Sequence, residues 1–281
     1  MIYMGMNRIL FVMWMAGMLL LSSCSLKEDR SGCPCWMAVE MPEQVGHDGG
    51  QVDNDDCVVL RLRGNSDEDE VGYSYQVTEA VKPDVGALEY EVPRGSVGVS
   101  VIGMPDWVGH DGIVGYDGDE IRIPVGEQMD SLYGFFRMFY TRCESVLCDV
   151  ELHKEFCTVS FTLGDDGYVS PYDLEVWGNV AGVSAWDLMP LEGDFRFTPS
   201  PEDGVYRVRV PRQVDNSLEL VMLEDSEIVD RLPLGEYIAR SGYDWAAEDL
   251  ADVHVALDME KQQVMITVSG WDGVVVMDIV I

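Results

Sequence analysis

Seven cysteines, four histidines and 51 acidic residues are the side chains through which this chain could do chemistry. His47, His110, His153 and His254 are scattered. No Gly-x-Ser-x-Gly elbow, His-Glu-x-x-His pair, phosphate loop or dinucleotide fingerprint accompanies them, so the sequence offers no catalytic reading. The acids gather in short runs, such as Asp53-Asn54-Asp55-Asp56, Asp67-Glu68-Asp69-Glu70 and Asp117-Gly118-Asp119-Glu120. Calcium wants roughly six to eight oxygens from one loop. None of these runs matches the twelve-residue calcium loop, which needs its glycine and its closing glutamate at fixed places, and they read as solvated turns. The cysteines show no CxxC spacing for zinc. Neither a metal nor a cofactor is expected.

One cysteine does carry a chemical message. Arg8 precedes an apolar run from Ile9 to Leu21, which ends in Leu21-Ser22-Ser23-Cys24. A positive start, an apolar stretch too short to span a bilayer and small residues at its end read as an export signal. The placement of Cys24 resembles the bacterial lipoprotein box, in which the thiol is acylated and becomes the mature N-terminus. Two or more acyl chains hold a protein stably on a membrane, at roughly 0.8 kcal/mol per buried CH₂. Lys27-Glu28-Asp29 follow shortly and resemble the surface-export signal of Bacteroidetes lipoproteins. Six cysteines remain, an even number that permits disulfides outside the cytoplasm. Cys143 and Cys148 flank a short connection and are the favoured pair; free buried thiols are the alternative.

Charge and length narrow the function further. The net charge is −33. Removing residues 1–23 removes Arg8 and no acid, which leaves −34. A field of that sign excludes nucleic acid as a partner and disfavours anionic lipid, so membrane attachment has to be covalent. The mature chain of about 258 residues is long enough for two medium domains.

The elements that must carry these residues are strands. Short alternating or apolar runs recur at Cys35–Met41, Val58–Arg63, Tyr73–Val77, Leu88–Val92, Val97–Ile102 and Ile121–Val125. A second series covers Phe156–Leu163, Tyr172–Trp177, Phe195–Phe197, Val205–Val210, Leu218–Leu223 and Ile228–Leu232. It ends with Val253–Leu257, Val264–Val268 and Val274–Ile281. Clusters of Gly, Asp and Pro separate them at sandwich spacing. Leu234–Leu250 breaks the pattern and reads as a short helix or a structured loop. The expected plan is all-β: signal peptide 1–23, lipidated tether 24–34, one β-sandwich domain over 35–149 and a second over 150–281. Trp107, Trp177, Trp186, Trp245 and Trp271 would fill such cores or, if exposed, stack on sugar rings.

Several segments, in order, resemble the FimB-type and Mfa-type fimbrial anchor and minor-subunit family of Bacteroidales. They are Cys24 with Lys27–Trp36, then Ser131-Leu132-Tyr133-Gly134, then His153–Val159, and last Ile266–Trp271. The resemblance implies two tandem transthyretin-like β-sandwich domains. It also implies a lipid-anchored, surface-exposed place on the outer membrane, and fimbrial stalk subunits as partners through strand exchange. An anchor keeps its first strand, for which Cys35–Met41 is the candidate. Register would then turn Trp36 or Met37 inward. The competing expectation is a surface glycan-binding lipoprotein, which would show a row of exposed Trp or Tyr on one face.

Overall fold

The computed structural model describes residues 33–42, 58–66, 75–82, 85–104, 118–164, 172–258, 263–270 and 273–278. Residues Cys35–Ile281 form one compact unit. Eighteen strands and one helix make up its described elements, so the all-β expectation holds.

In the first half the strands are β1 (Cys35–Glu40), β2 (Val58–Ser66), β3 (Tyr75–Val81), β4 (Ala87–Val92) and β5 (Gly95–Gly103). They continue with β6 (Glu120–Arg122), β7 (Tyr133–Tyr140), β8 (Ser145–Asp149) and β9 (His153–Lys154). One sheet has the order β4-β1-β8 and faces a second of order β3-β2-β5-β7-β9. Strand alternation explains the core between them, because every second side chain points the same way. Met37 and Val39 from β1, Leu60 and Leu62 from β2, and Val99 and Val101 from β5 are fully buried there.

The second half holds β10 (Phe156–Leu163), β11 (Asp173–Ser184), β12 (Pro190–Phe197), β13 (Tyr206–Pro211), β14 (Glu219–Glu224) and β15 (Glu227–Leu232). Helix α1 (Leu234–Arg240) follows, then β16 (Val253–Asp258), β17 (Gln263–Val268) and β18 (Val275–Asp278). A sheet ordered β13-β10-β16-β17-β18 faces one ordered β12-β11-β14-β15. Phe161 stacks on Tyr206 in their shared core, with ring centroids 5.2 Å apart. The Leu234–Leu250 stretch resolves into both expected forms. Leu234–Arg240 is helical and buries Leu234, Tyr237 and Ile238, and the remainder is an irregular loop.

One strand joins the two halves. β6 leaves the first half and pairs with β11, while β9 follows β8 yet pairs back onto β7. The β6–β11 approach is close: a Cβ on Gly182 would sit 2.2 Å from the Ile121 carbonyl oxygen. Gly182 also has φ +154°, a region that side chains rarely adopt. A small core of Ile102, Met104, Met129, Leu132, Phe156 and Val183 fills the joint. Polar groups finish it. Arg61 Nη1 donates to the Ala185 carbonyl at 3.1 Å, and Ser100 Oγ donates to the same oxygen at 3.2 Å. Trp186 lies against Gly98, where any Cβ would clash with its ring, and the Arg63 guanidinium covers its face.

Arg212 pins the loop after α1. It donates to the Trp245, Ala247 and Glu248 carbonyls at 2.5, 2.7 and 3.3 Å and pairs with Glu155 at 2.9 Å. Burial pushes the Glu155 carboxyl above its ordinary range, and Arg212 pulls it partly back.

Two stability experiments test this packing. Met37 is fully buried and Trp36 is half exposed. Met37→Ala should lower unfolding free energy by about 2–5 kcal/mol, and Trp36→Ala by less than half of that, read by urea unfolding with circular dichroism. Arg212→Ala strands a buried carboxylate and should cost about 3–5 kcal/mol at pH 7. A carboxyl whose folded pKa lies above its unfolded value binds more protons when folded. The variant's deficit relative to the parent should therefore shrink as pH falls from 7 towards 5. A deficit that grows over that window would refute the burial argument.

Candidate functional site

The site that the sequence points to is the first strand, β1. β1 sits at the centre of its sheet. It pairs antiparallel with β4, Cys35 opposite Val92 through Glu40 opposite Ala87. On its other side it pairs parallel with β8, Trp36 opposite Ser145 through Glu40 opposite Asp149. Three further backbone bonds seal its ends: Trp36 N–H to the Glu144 carbonyl at 2.9 Å, Met41 N–H to Gly86 at 3.2 Å and Val150 N–H to Glu40 at 3.1 Å. Of the two registers, the inward residue is Met37. Cys35, Met37 and Val39 are wholly buried, and Trp36 faces solvent.

Two sheet edges are open, one beside β1 and one in the second half. β8 pairs only with β1, and β18 only with β17, among the described strands. Each edge presents unpaired backbone groups that can receive another strand. Exposed apolar side chains stand beside them: Leu147 on β8, and Val274 and Val276 at β18. Acids flank β8 at Glu144, Asp149 and Glu151, a device that discourages indiscriminate pairing.

The residues singled out from sequence fall as follows. Cys24, Lys27, Glu28 and Asp29 lie outside the described residues. Cys143 and Cys148 are not brought together. The Trp36 bond to Glu144 extends the ladder back from Ser145. An extended strand rises ~3.3 Å per residue, so the Cα atoms of Glu144 and Cys148 lie roughly 13 Å apart. Cys143 is one residue further back and cannot come within the ~7 Å that a disulfide allows. Cys148 also points into the core, where burial pushes its thiol up to about 12. The favoured pairing is therefore corrected: five residues of sequence separation look short until they are drawn out as a strand.

Other chemistry is sparse. Ser160 Oγ and His254 Nδ1 lie 3.0 Å apart on adjacent strands, directly opposite each other. Burial, then the Arg207 charge, lowers the His254 pKa and favours the neutral ring. Among the described residues no carboxylate orients that ring, so the pair lacks the third member of a nucleophilic site. Three surface clefts of about 350–430 Å³ are lined by charges already engaged, among them Lys154 with Asp252 at 2.7 Å and Glu155 with Arg212. No group of three or more metal-binding side chains occurs among the described residues. Exposed aromatics there are Trp36, Tyr140 and Tyr172. Trp36 and Tyr140 face out of opposite sheets of the first half, since Met37 and Phe139 point inward. Trp177 is covered by Arg196 and Arg231, with guanidinium carbons 4.3 and 4.8 Å from its ring centroid.

No family model matches this chain, and no curated protein matches it in sequence. Solved structures do match in fold. A DUF1812 protein of Bacteroides thetaiotaomicron, described as polysaccharide-binding, aligns with TM-score 0.55 at 15% identity, over 87% of this chain and 98% of its own. The fimbrial anchor protein Mfa2 of Porphyromonas gingivalis aligns with TM-score 0.51 at 12% identity, over 85% and 98%. A Bacteroides ovatus protein described as an adhesin aligns with TM-score 0.50 at 14% identity, over 86% and 95%. Nearly the whole length of each is spanned, so this chain has the fold found in these three proteins.

Proposed function

We propose that this protein is a surface lipoprotein that serves as the anchor or a minor subunit of a fimbria. In this reading Cys24 is acylated and holds the chain to the outer membrane. Lys27, Glu28 and Asp29 direct it to the outer face. Residues 35–149 and 150–281 act as two transthyretin-like sandwich domains, joined through the pairing of β6 with β11. Stalk subunits join by adding a strand to an open edge.

The observation that carries the reading is β1 itself. Its strand is seated between β4 and β8 with its apolar face fully buried. A subunit that fills its own sheet has no vacant groove to be filled by a neighbour, which suits the end of a polymer. The whole-length likeness to a fimbrial anchor supports the same reading. The role assigned is structural, with no reaction.

A glycan-binding lipoprotein is the second reading, favoured by the likeness to a protein described as polysaccharide-binding. Surface extraction separates the two. Protein pulled from cell surfaces should carry a fimbrillin-like polymer with it, and Cys24→Ala should release the chain from the membrane fraction and lose labelled palmitate. Retention on a polysaccharide column with no polymer recovered would favour the glycan reading. Unchanged fractionation of Cys24→Ala would refute the lipid anchor.

A further inference from the structure

Cys35 and Cys143 meet where β1 and β8 begin. β1 and β8 run parallel, and the register that sets Trp36 opposite Ser145 continues to Cys35 opposite Glu144. Cys143 is the next residue back, on the diagonal. Strands ~4.8 Å apart, offset by one residue of ~3.3 Å, place such Cα atoms roughly 6 Å from each other, inside the disulfide range. The chain bends at Cys143 and Glu144 rather than continuing as strand. That bend lets the Cys143 side chain turn towards Cys35 in place of the outward direction strand alternation would give it. Its thiol lies 3.2 Å from the Ser145 carbonyl oxygen.

The surroundings suit thiol exchange. Arg94 Nη1 donates to the Arg142 carbonyl at 3.2 Å, which sets its positive charge beside the bend. Cys143 is exposed to an oxidant and Cys35 is buried behind it. Burial and the Cys143 side chain both raise the Cys35 pKa, consistent with two thiols in contact.

We infer that Cys35 and Cys143 form a disulfide that fastens the entry of β1 to β8. The oxidant is a disulfide, small or enzyme-borne. The Cys143 thiolate attacks one of its sulfurs, forming a mixed disulfide and releasing a thiol. Cys35 then attacks the Cys143 sulfur, forming the protein disulfide and releasing the second thiol. Two protein thiols are oxidised as one external disulfide is reduced, and their two protons leave with the released thiols.

The consequence is mechanical, and this part rests on the lipid-anchor reading. The folded unit begins at Cys35. A pull between membrane and fimbria, delivered through residues 24–34, enters the fold at the first residue of β1. Without a cross-link that load would peel β1 from its ladders. With one, it passes to β8 through a covalent bond.

The test is to express the full chain with its leader, quench cells in acid, alkylate free thiols and map the digest without reduction. The expected result is a peptide linking residues 31–61 to 143–154. That link should persist in Cys33→Ser, Cys57→Ser and Cys148→Ser and vanish in Cys35→Ser and Cys143→Ser. A bridge closing a loop of about 100 residues should also raise the melting midpoint by roughly 10 °C, a gain that reductant or Cys143→Ser removes equally. Alkylated Cys35 and Cys143 in the exported protein, or a Cys33–Cys143 link in their place, would overturn the inference. The mapping needs no lipid, so its outcome is independent of whether Cys24 is acylated.

Discussion

Seating β1 between β4 and β8 is the constraint on which the first half of the molecule depends. Those two neighbours do not pair with each other, so the three-stranded sheet exists only through the strand between them. β1 also closes one side of the core that β2, β5 and β7 line. Removing it would uncover Leu60, Leu62, Val99 and Val101, each a wholly buried side chain. At about 1.5–3 kcal/mol per buried apolar side chain, the loss would approach the whole stability of an ordinary domain. Such a groove demands a strand, its own or a neighbour's.

The second half depends on the first through a different kind of contact. β6 and β9 are short, and neither is a sheet in itself, yet each ties its segment to a neighbour. Ala185 gathers Arg61 and Ser100 on one carbonyl oxygen, which satisfies buried polar groups that would otherwise oppose packing. Arg212 does the same for three carbonyls of the loop after α1 while pairing with Glu155. A force borne by one half is thus passed to the other through packed and hydrogen-bonded contacts.

Much of the fold was legible because strands of this chain alternate. β1, β2, β4, β10, β13, β16 and β17 lie within a residue or a few of the runs read from sequence. β7 was missed: Tyr133–Tyr140 reads as an almost unbroken aromatic run without a clear polar face. Its register shows why, since Phe135 packs into the core and Phe136 packs edge-on against Trp186 at the joint. Both faces are used, so alternation disappears. β8 was hidden by reading Cys143 to Cys148 as a connection. The pairing of β6 with β11 spans some 60 residues of chain, and the Arg61, Arg212 and Cys35–Cys143 contacts are similarly long-range. No local period encodes contacts of that kind, although a buried arginine in an alternating strand, as at Arg61, is a hint of a polar partner.

The central claim is that β1 stays with its own chain in the working protein. The direct measurement is the N-terminus and intact mass of protein recovered from cell surfaces. The account predicts a mature chain beginning at acylated Cys24, with residues 35–41 present. A mature chain beginning beyond Met41 would show that the strand is given up, the groove is filled by another subunit, and the protein is a polymerising stalk or tip subunit instead.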